Sequence, residues 1–275
     1  MRVVKRVVEY ESRRELPFIL VPVGDIHLGH INVEKKTLGR VLRFIEETPN
    51  CLWLGMGDYA DAITIKDYRY NPDSVDREFE TPQAQYREVE RLFRPIAQKC
   101  LGLLDGNHDY KLWRKYQHNY VDDLAYHLGV TYLTMDAYIR LVFSRKSGKR
   151  AKKNQLNIYA HHGWTGARTS GAKINRIEDL AKIFPLCNLY LMGHMHDIGP
   201  SQPRVRLSVD RGLNVVDHEE RFIQTGSFLR GYVDGTMGYV EEKTYMPAAL
   251  GSPKISIWID DTRPGTFRYS MEELR

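Results

Sequence analysis

A chain of 275 residues can bury a large α/β core, and no stretch of it reaches the uninterrupted apolar length of a membrane span. Its 40 Lys and Arg against 35 Asp and Glu leave a formal charge of +5, which favours anionic partners but falls short of a dedicated DNA-binding arm. Cys51, Cys100 and Cys187 lack the paired spacing of a zinc ribbon or a disulfide framework, and the start MRVVKRVVEYESRREL has no continuous apolar region of a signal peptide; a soluble, cytoplasmic protein with reduced thiols is expected.

The first strand signal is PFILVPVGDIH, an apolar run that passes through glycine into Asp25 and His27. If the strand stays extended there, both side chains face the same way and can grip one cation. VEKKTLGRVLRFIEET reads as a helix. CLWLGMGDYAD is the second strand and delivers Asp58, a carboxylate whose lone pairs can serve two cations, or a turn residue. The long connection over residues 63–94 holds Tyr68, Arg69, Tyr70, Asn71, Arg77 and Tyr86, and part of it is expected to cap the cleft, although a packed helix pair accounts for it equally. TPQAQYREVERLFRPIAQ, at its end, is helix-compatible.

CLGLLDGNHD is the third strand, ending in Asn107, His108 and Asp109: an amide oxygen, an imidazole and a carboxylate in a row. Tyr110, Lys111, Trp113, Arg114, Lys115 and Tyr116 follow, a mixture suited to stacking on a base while holding its phosphates, or to an ordinary amphipathic helix with a solvated basic face. VDDLAYHLG is another helix. RKSGKRAKKN reads as a basic turn before the fourth strand, LNIYAHHG, and so belongs at the end of that strand away from His161 and His162; eight extended residues span roughly 25 Å. Arg168, Lys173 and Arg176 lie in the next loop, which either closes over a phosphate or is simply solvated. INRIEDLAKIF is a helix and LYLMGHMH a fifth strand, ending in His194 and His196.

Strands alternating with helices predict a largely parallel sheet, with all five polar clusters on the edge formed by the strands' C-terminal ends, where open α/β folds bind ligands. Beyond Pro200, RVRLSVD, LNVVD, RFIQTGSF, MGYVEEKTY and KISIWID predict a second, more antiparallel sheet stacked on the first. No linker composition divides the chain, so residues 1–275 are expected to form one domain with helices outside.

Six of the ten histidines fall at predicted strand ends, which scattered structural use does not give. Imidazole and carboxylate without cysteine suit Mn, Fe, Zn, Co or Ni rather than Ca or Mg alone, with Mn the favoured choice. Paired cations of this kind polarise and orient a phosphate and acidify water to a hydroxide nucleophile. His108 can protonate the leaving oxygen if Asp109 holds its ring.

The ordered set G-D-I-H, G-D-Y-A-D, G-N-H-D, H-H-G and G-H-M-H, spanning Gly24 to His196, resembles the calcineurin-like metallophosphoesterase superfamily. The resemblance implies a four-layer α/β/β/α sandwich of two mixed sheets. It also implies that Asp25, His27 and His196 hold one metal, that Asp58 bridges, that Asn107, His162 and His194 hold the second, and that His108 is the catalytic imidazole. His161 is the alternative to His162. Asp61 matches the second acid of the G-D-x-x-D motif and is expected to support the loop. A phosphodiesterase acting on DNA, RNA or nucleotides is the leading expectation, with Tyr110, Arg114, Arg168, Lys173 and Arg176 as candidate substrate contacts; phosphomonoester hydrolysis and a catalytically silent, metal-bound scaffold are the alternatives.

Overall fold

The computed structural model describes every residue except 11–15, 146–152, 165, 168, 201–202, 211, 236–238, 243, 245 and 261–264. Two mixed sheets form its centre. One runs in the order β1 (Arg2–Tyr10), β6 (Asp136–Arg145), β7 (Lys153–His161), β8 (Leu189–Met192), β11 (Val215–Thr225), β10 (Arg204–Val209), with β9 (Ile198–Pro200) also paired to β11. The other runs β13 (Phe267–Leu274), β12 (Ser252–Ile259), β2 (Phe18–Val23), β3 (Cys51–Gly55), β4 (Cys100–Leu104), β5 (Tyr132–Thr134).

The side-chain alternation along the central strands shows how the layers stack. In β2, β3 and β4, Val21, Trp53 and Leu103 face helices α1 (Lys35–Glu47), α2 (Pro82–Phe93) and α4 (Tyr120–Leu128), packing with Val41, Ile45, Val89, Phe93 and Leu124. The alternate residues Leu20, Leu54 and Leu104 turn inward and meet Leu156, Ile158, Leu191 and Ile223 of the opposite sheet. On that sheet's outer face Tyr159, Tyr190 and Phe222 pack against Ile177 and Leu180 of α5 (Ser170–Glu178) and α6 (Leu180–Ile183). The layers are therefore α/β/β/α, and the middle strands, covered on both faces, read as unbroken apolar runs.

Helix α1 shows the local logic. Leu38, Val41, Leu42 and Ile45 recur at the three- and four-residue spacing of one helix face, and all four are buried. Each such side chain contributes about 1.5–3 kcal/mol on burial.

Three expectations are corrected. The five strands that end in the polar motifs do not share a sheet: β2, β3 and β4 lie in one, β7 and β8 in the other. The segments after Pro200 also divide, β10 and β11 extending the sheet of β8 while β12 and β13 flank β2. Alternation in sequence shows which side chains are buried, not which sheet a strand joins. Within MGYVEEKTY, Tyr239–Glu242 forms a short helix, α7, rather than a strand. Of the basic run RKSGKRAKKN, residues 146–152 lie outside the described residues; β6 and β7, on either side of them, pair antiparallel with Ser144 against Lys153 at that end and Asp136 against His161 at the other.

Candidate metal centre

The C-terminal ends of β2, β3 and β4 and of the mutually parallel β7 and β8 emerge on the same side of the two sheets. There the backbone leaves the extended state. Asp25, His27, Asp58, His194 and His196 adopt φ of +48°, +53°, +50°, +64° and +56°, the left-handed region that costs non-glycine residues energy. Asp25 and His27 thus converge through a tight loop rather than through strand alternation, since β2 ends at Val23. Gly57, at φ +90°, lies so close to the backbone of Asp105 and Gly106 that a Cβ there would meet it at 2.5–2.7 Å.

Two groups of lone-pair donors face each other. Asp25, His27 and His196 form the first: His27 Nε2 is 3.2 Å from His196 Nε2, which is 3.3 Å from Asp25 Oδ1. Asp58, His162 and His194 form the second. The Asn107 amide atom turned toward this second group is 2.7 Å from His194 Nδ1, 3.2 Å from Asp58 Oδ2 and 3.2 Å from His162 Nε2. Asp58 stands between the groups. Its Oδ1 accepts the His108 backbone N–H at 2.8 Å, while Oδ2 lies 3.4 Å from His162 Nε2 and 3.9 Å from His27 Nε2.

The surroundings orient these donors. His162 Nδ1 donates to the Met56 carbonyl at 2.7 Å, which leaves the Nε2 lone pair facing inward. Asp25 accepts the His194 backbone N–H at 3.0 and 3.1 Å, a tie between the two sheets, and its own carbonyl accepts from Ser227 Oγ at 2.9 Å. His161 turns away: its Nδ1 accepts from the Gly163 N–H at 2.8 Å and its ring packs on Trp164.

Such a set fits divalent metal. Carboxylates, imidazole lone pairs and an amide oxygen converge on two points, and only positive charge relieves their mutual repulsion. Burial disfavours an imidazolium at His162, yet the Asp58 carboxylate beside it and Asp25 beyond push its pKa up to about 10. Burial also opposes charge on Asp58, but the imidazoles around it hold its carboxyl well below the usual range. His194 goes the other way, pushed by burial and by His162 down to about 4. The field at the centre calls for cations, and nitrogen and oxygen donors of this mixture suit first-row transition metals.

His108 lies beside the first group, its ring 4.7 Å from that of His27. Its Nδ1–H donates to the Asp61 carbonyl at 2.5 Å, and the Asp61 carboxylate is 3.7 Å from the same nitrogen and 3.5 Å from His27 Nδ1. Asp109 does not hold this ring as expected. Its Oδ2 accepts the backbone N–H of Asp58 at 2.7 Å and of Gly106 at 2.8 Å, and Oδ1 accepts from Tyr86 Oη, so it knits the second and third ligand loops to α2. Burial and nearby Asp58 push its pKa up to about 7. Helix α3 (Asn107–Tyr116) starts inside the ligand motif, so G-N-H-D is its first turn, and a side chain at the third helical position points back to the cap rather than sideways.

The expected substrate contacts separate. Lys173 is committed to the metal loop, donating to the Met195 carbonyl at 3.0 Å and to Asp197 at 2.7 Å. Arg176, exposed on α5, faces Asp179 just beyond that helix. Arg168 lies outside the described residues. Tyr110 and Arg114 are on α3, and Tyr110 is 39% exposed. Of the 63–94 segment, α2 packs Tyr86, Val89 and Phe93 into the core as an ordinary helix, but Arg69 reaches the centre, its Nη1 3.1 Å from His108 Nε2. Neither Arg69 nor Ser227 carries a motif; for Ser227 the signal was the repeated theme of a strand followed by glycine, in RFIQTGSF.

No family model and no curated protein match the chain. Among solved structures it is similar to a conserved uncharacterized protein of Streptococcus pneumoniae TIGR4, described as a predicted phosphoesterase, at 13% identity and a TM-score of 0.35 over 94% of this chain and 91% of that one. It is similar to Vps29 of Chaetomium thermophilum at 12% identity and a TM-score of 0.38, over 93% and 96% of the two chains. A hypothetical protein of Thermus thermophilus matches at 11% identity and a TM-score of 0.38, over 94% and 100%. With TM-scores below 0.5, the reading of the centre rests on its own side chains. In the order of its motifs, in its two mixed sheets with flanking helices and in the convergence of those motifs, the chain resembles the calcineurin-like metallophosphoesterase superfamily.

Proposed function

We propose that the chain is a dinuclear metal-dependent phosphoester hydrolase, acting on phosphodiesters of nucleotides or nucleic acid. The observation that carries this is Asp58 Oδ2 standing between two clusters of lone-pair donors, each buried but for one half-buried histidine. Asp25, His27 and His196 would hold one divalent cation, Asn107, His162 and His194 the other, with Asp58 shared; Mn suits the donor set, and Fe, Zn, Ni or Co are the alternatives. Bound there, the cations supply positive charge to the phosphoryl oxygens and acidify water for attack.

The remaining work falls to the chain. As water's oxygen bonds to phosphorus and the ester P–O bond breaks, His108 relays the proton that the water sheds: Nε2, left with its lone pair because Nδ1–H is held by the Asp61 carbonyl, takes it up and hands it to the leaving oxygen. Diesters with a large leaving group suit the helix that begins at Asn107 and His108, where Tyr110, Trp113 and Tyr116 are exposed along with Lys111 and Arg114, and Lys111 lies over exposed Tyr68. A reducing, cytoplasmic setting suits three buried free thiols; no helix among the described residues is long and apolar enough to cross a membrane.

The deciding assay compares bis-p-nitrophenyl phosphate with p-nitrophenyl phosphate, using metal-stripped protein reloaded separately with Mn, Ni, Co, Zn and Mg. Metal-restored preference for the diester supports the proposal. Preference for the monoester moves the reading to a phosphatase, and silence with every metal moves it to a binding scaffold.

A further inference from the structure

Arg69 is the one cation that the 63–94 segment brings against the catalytic imidazole among the described residues, and it is built in rather than draped. Its Nε donates to Asp67 Oδ1 at 3.3 Å and its Nη2 to Asp67 Oδ2 at 3.2 Å, while its backbone N–H also donates to Oδ1, at 3.1 Å. Asp67 is buried, and Lys111 of α3 donates to its Oδ2 at 2.5 Å. The carboxylate is thereby fixed to the helix that carries Asn107 and His108. A guanidinium held by two nitrogens in a carboxylate fork has surrendered its rotamer freedom, so the third nitrogen points where the fork aims it. That nitrogen, Nη1, is the one 3.1 Å from His108 Nε2.

A guanidinium against an imidazole gains little by itself. Two cation-seeking donor clusters lie just beyond, and once they hold metal the pocket faces one point with metal charge, an imidazole nitrogen and an aimed N–H. An anionic oxygen placed there accepts the Arg69 N–H that otherwise points at the His108 Nε2 lone pair. We propose that Arg69 binds a non-bridging oxygen of the substrate phosphoryl group, with Asp67 and Lys111 as the residues that position it. This rests on the phosphoester reading and deepens it, since the residue aimed at the anion, Arg69, comes from a segment outside every ligand motif.

The test is calorimetric titration of inorganic phosphate into the Mn-loaded chain, for wild type, Arg69→Ala and Asp67→Asn, with Mn content and unfolding temperature measured on the same samples. Arg69→Ala is expected to weaken phosphate binding roughly 10- to 100-fold with Mn content unchanged, as loss of a charge-assisted hydrogen bond predicts. Asp67→Asn, which keeps the guanidinium but loosens its fork, is expected to weaken it by a smaller factor. Phosphate affinity within about twofold of wild type in Arg69→Ala, well inside the loss a charged contact entails, would overturn the proposal; so would loss of Mn together with phosphate, which would make Arg69 a support of the metal cluster. A wild type that binds phosphate through Arg69 yet hydrolyses no ester would remove the hydrolase reading and leave this site standing. A hydrolase whose Arg69→Ala variant binds phosphate normally would do the reverse.

Discussion

Replacing Asp109 separates two roles that its neighbourhood in G-N-H-D confuses. Its carboxylate accepts the backbone N–H groups of Asp58 and Gly106 and the hydroxyl of Tyr86, and it touches no atom of the His108 ring among its hydrogen bonds. Asp109→Ala leaves those three donors buried without an acceptor, at about 1–3 kcal/mol each, so a total of roughly 3–9 kcal/mol is expected. In a chain of this size that lowers the unfolding temperature by on the order of 10 °C. Asp109→Asn should cost far less: its amide oxygen can take the place of Oδ2 and accept both backbone N–H groups, and Tyr86 can rotate its hydroxyl to accept from the new NH2. Thermal unfolding and kcat of the Mn-loaded variants decide the matter. The expected result is a large loss of stability for Ala and near-normal stability and turnover for Asn. If Asp109→Asn instead keeps its stability and loses turnover as severely as a His108 variant, the reasoning is refuted and Asp109 acts on the imidazole after all.

Three further outcomes follow from the same geometry. His108→Ala should lower kcat for the diester about 10²- to 10⁴-fold, the range for a lost proton donor, while Mn content stays at the wild-type level; co-loss of metal would place His108 among the ligands. Chelating the metals should lower the unfolding temperature, because ligands that bind only the folded state add ~2.7 kcal/mol at a hundredfold excess over Kd, and reloading with Mn should restore it. An unchanged melting curve would count against bound metal at the buried cluster. Lys173→Ala should weaken metal binding 10- to 100-fold, on the order seen when a group supporting a ligand loop is removed, with KM for the diester unmoved at saturating Mn; a raised KM with normal metal affinity would return Lys173 to the substrate.

The chemistry of the centre was legible because ligand types are local. Strand, glycine, then Asp, His or Asn recurs four times in the sequence, with the histidines of LNIYAHHG preceding their glycine, and all five clusters end beside one another. The layered architecture was legible for a similar reason, since unbroken apolar runs mark strands covered on both faces and the spacing of Leu38, Val41, Leu42 and Ile45 marks a helix with one buried face. Strand pairing was not. Pairing joins residues far apart in the chain, and nothing within β7 or β12 states which neighbour it will find, so the division of the five motifs between two sheets emerged only from the packed structure. The same holds for side chains acting at a distance. The adjacency of His108 and Asp109 suggested a dyad, yet the helix that begins there turns the carboxylate back toward its own cap and leaves the imidazole to Asp61, brought from the preceding strand's loop. Arg69, a plain basic residue in a long connection, gains its place from Asp67 and Lys111. Sequence alone determined which groups this protein can offer to a metal; the tertiary structure decided how they are aimed, because aim depends on hydrogen bonds between segments that the chain's order keeps apart.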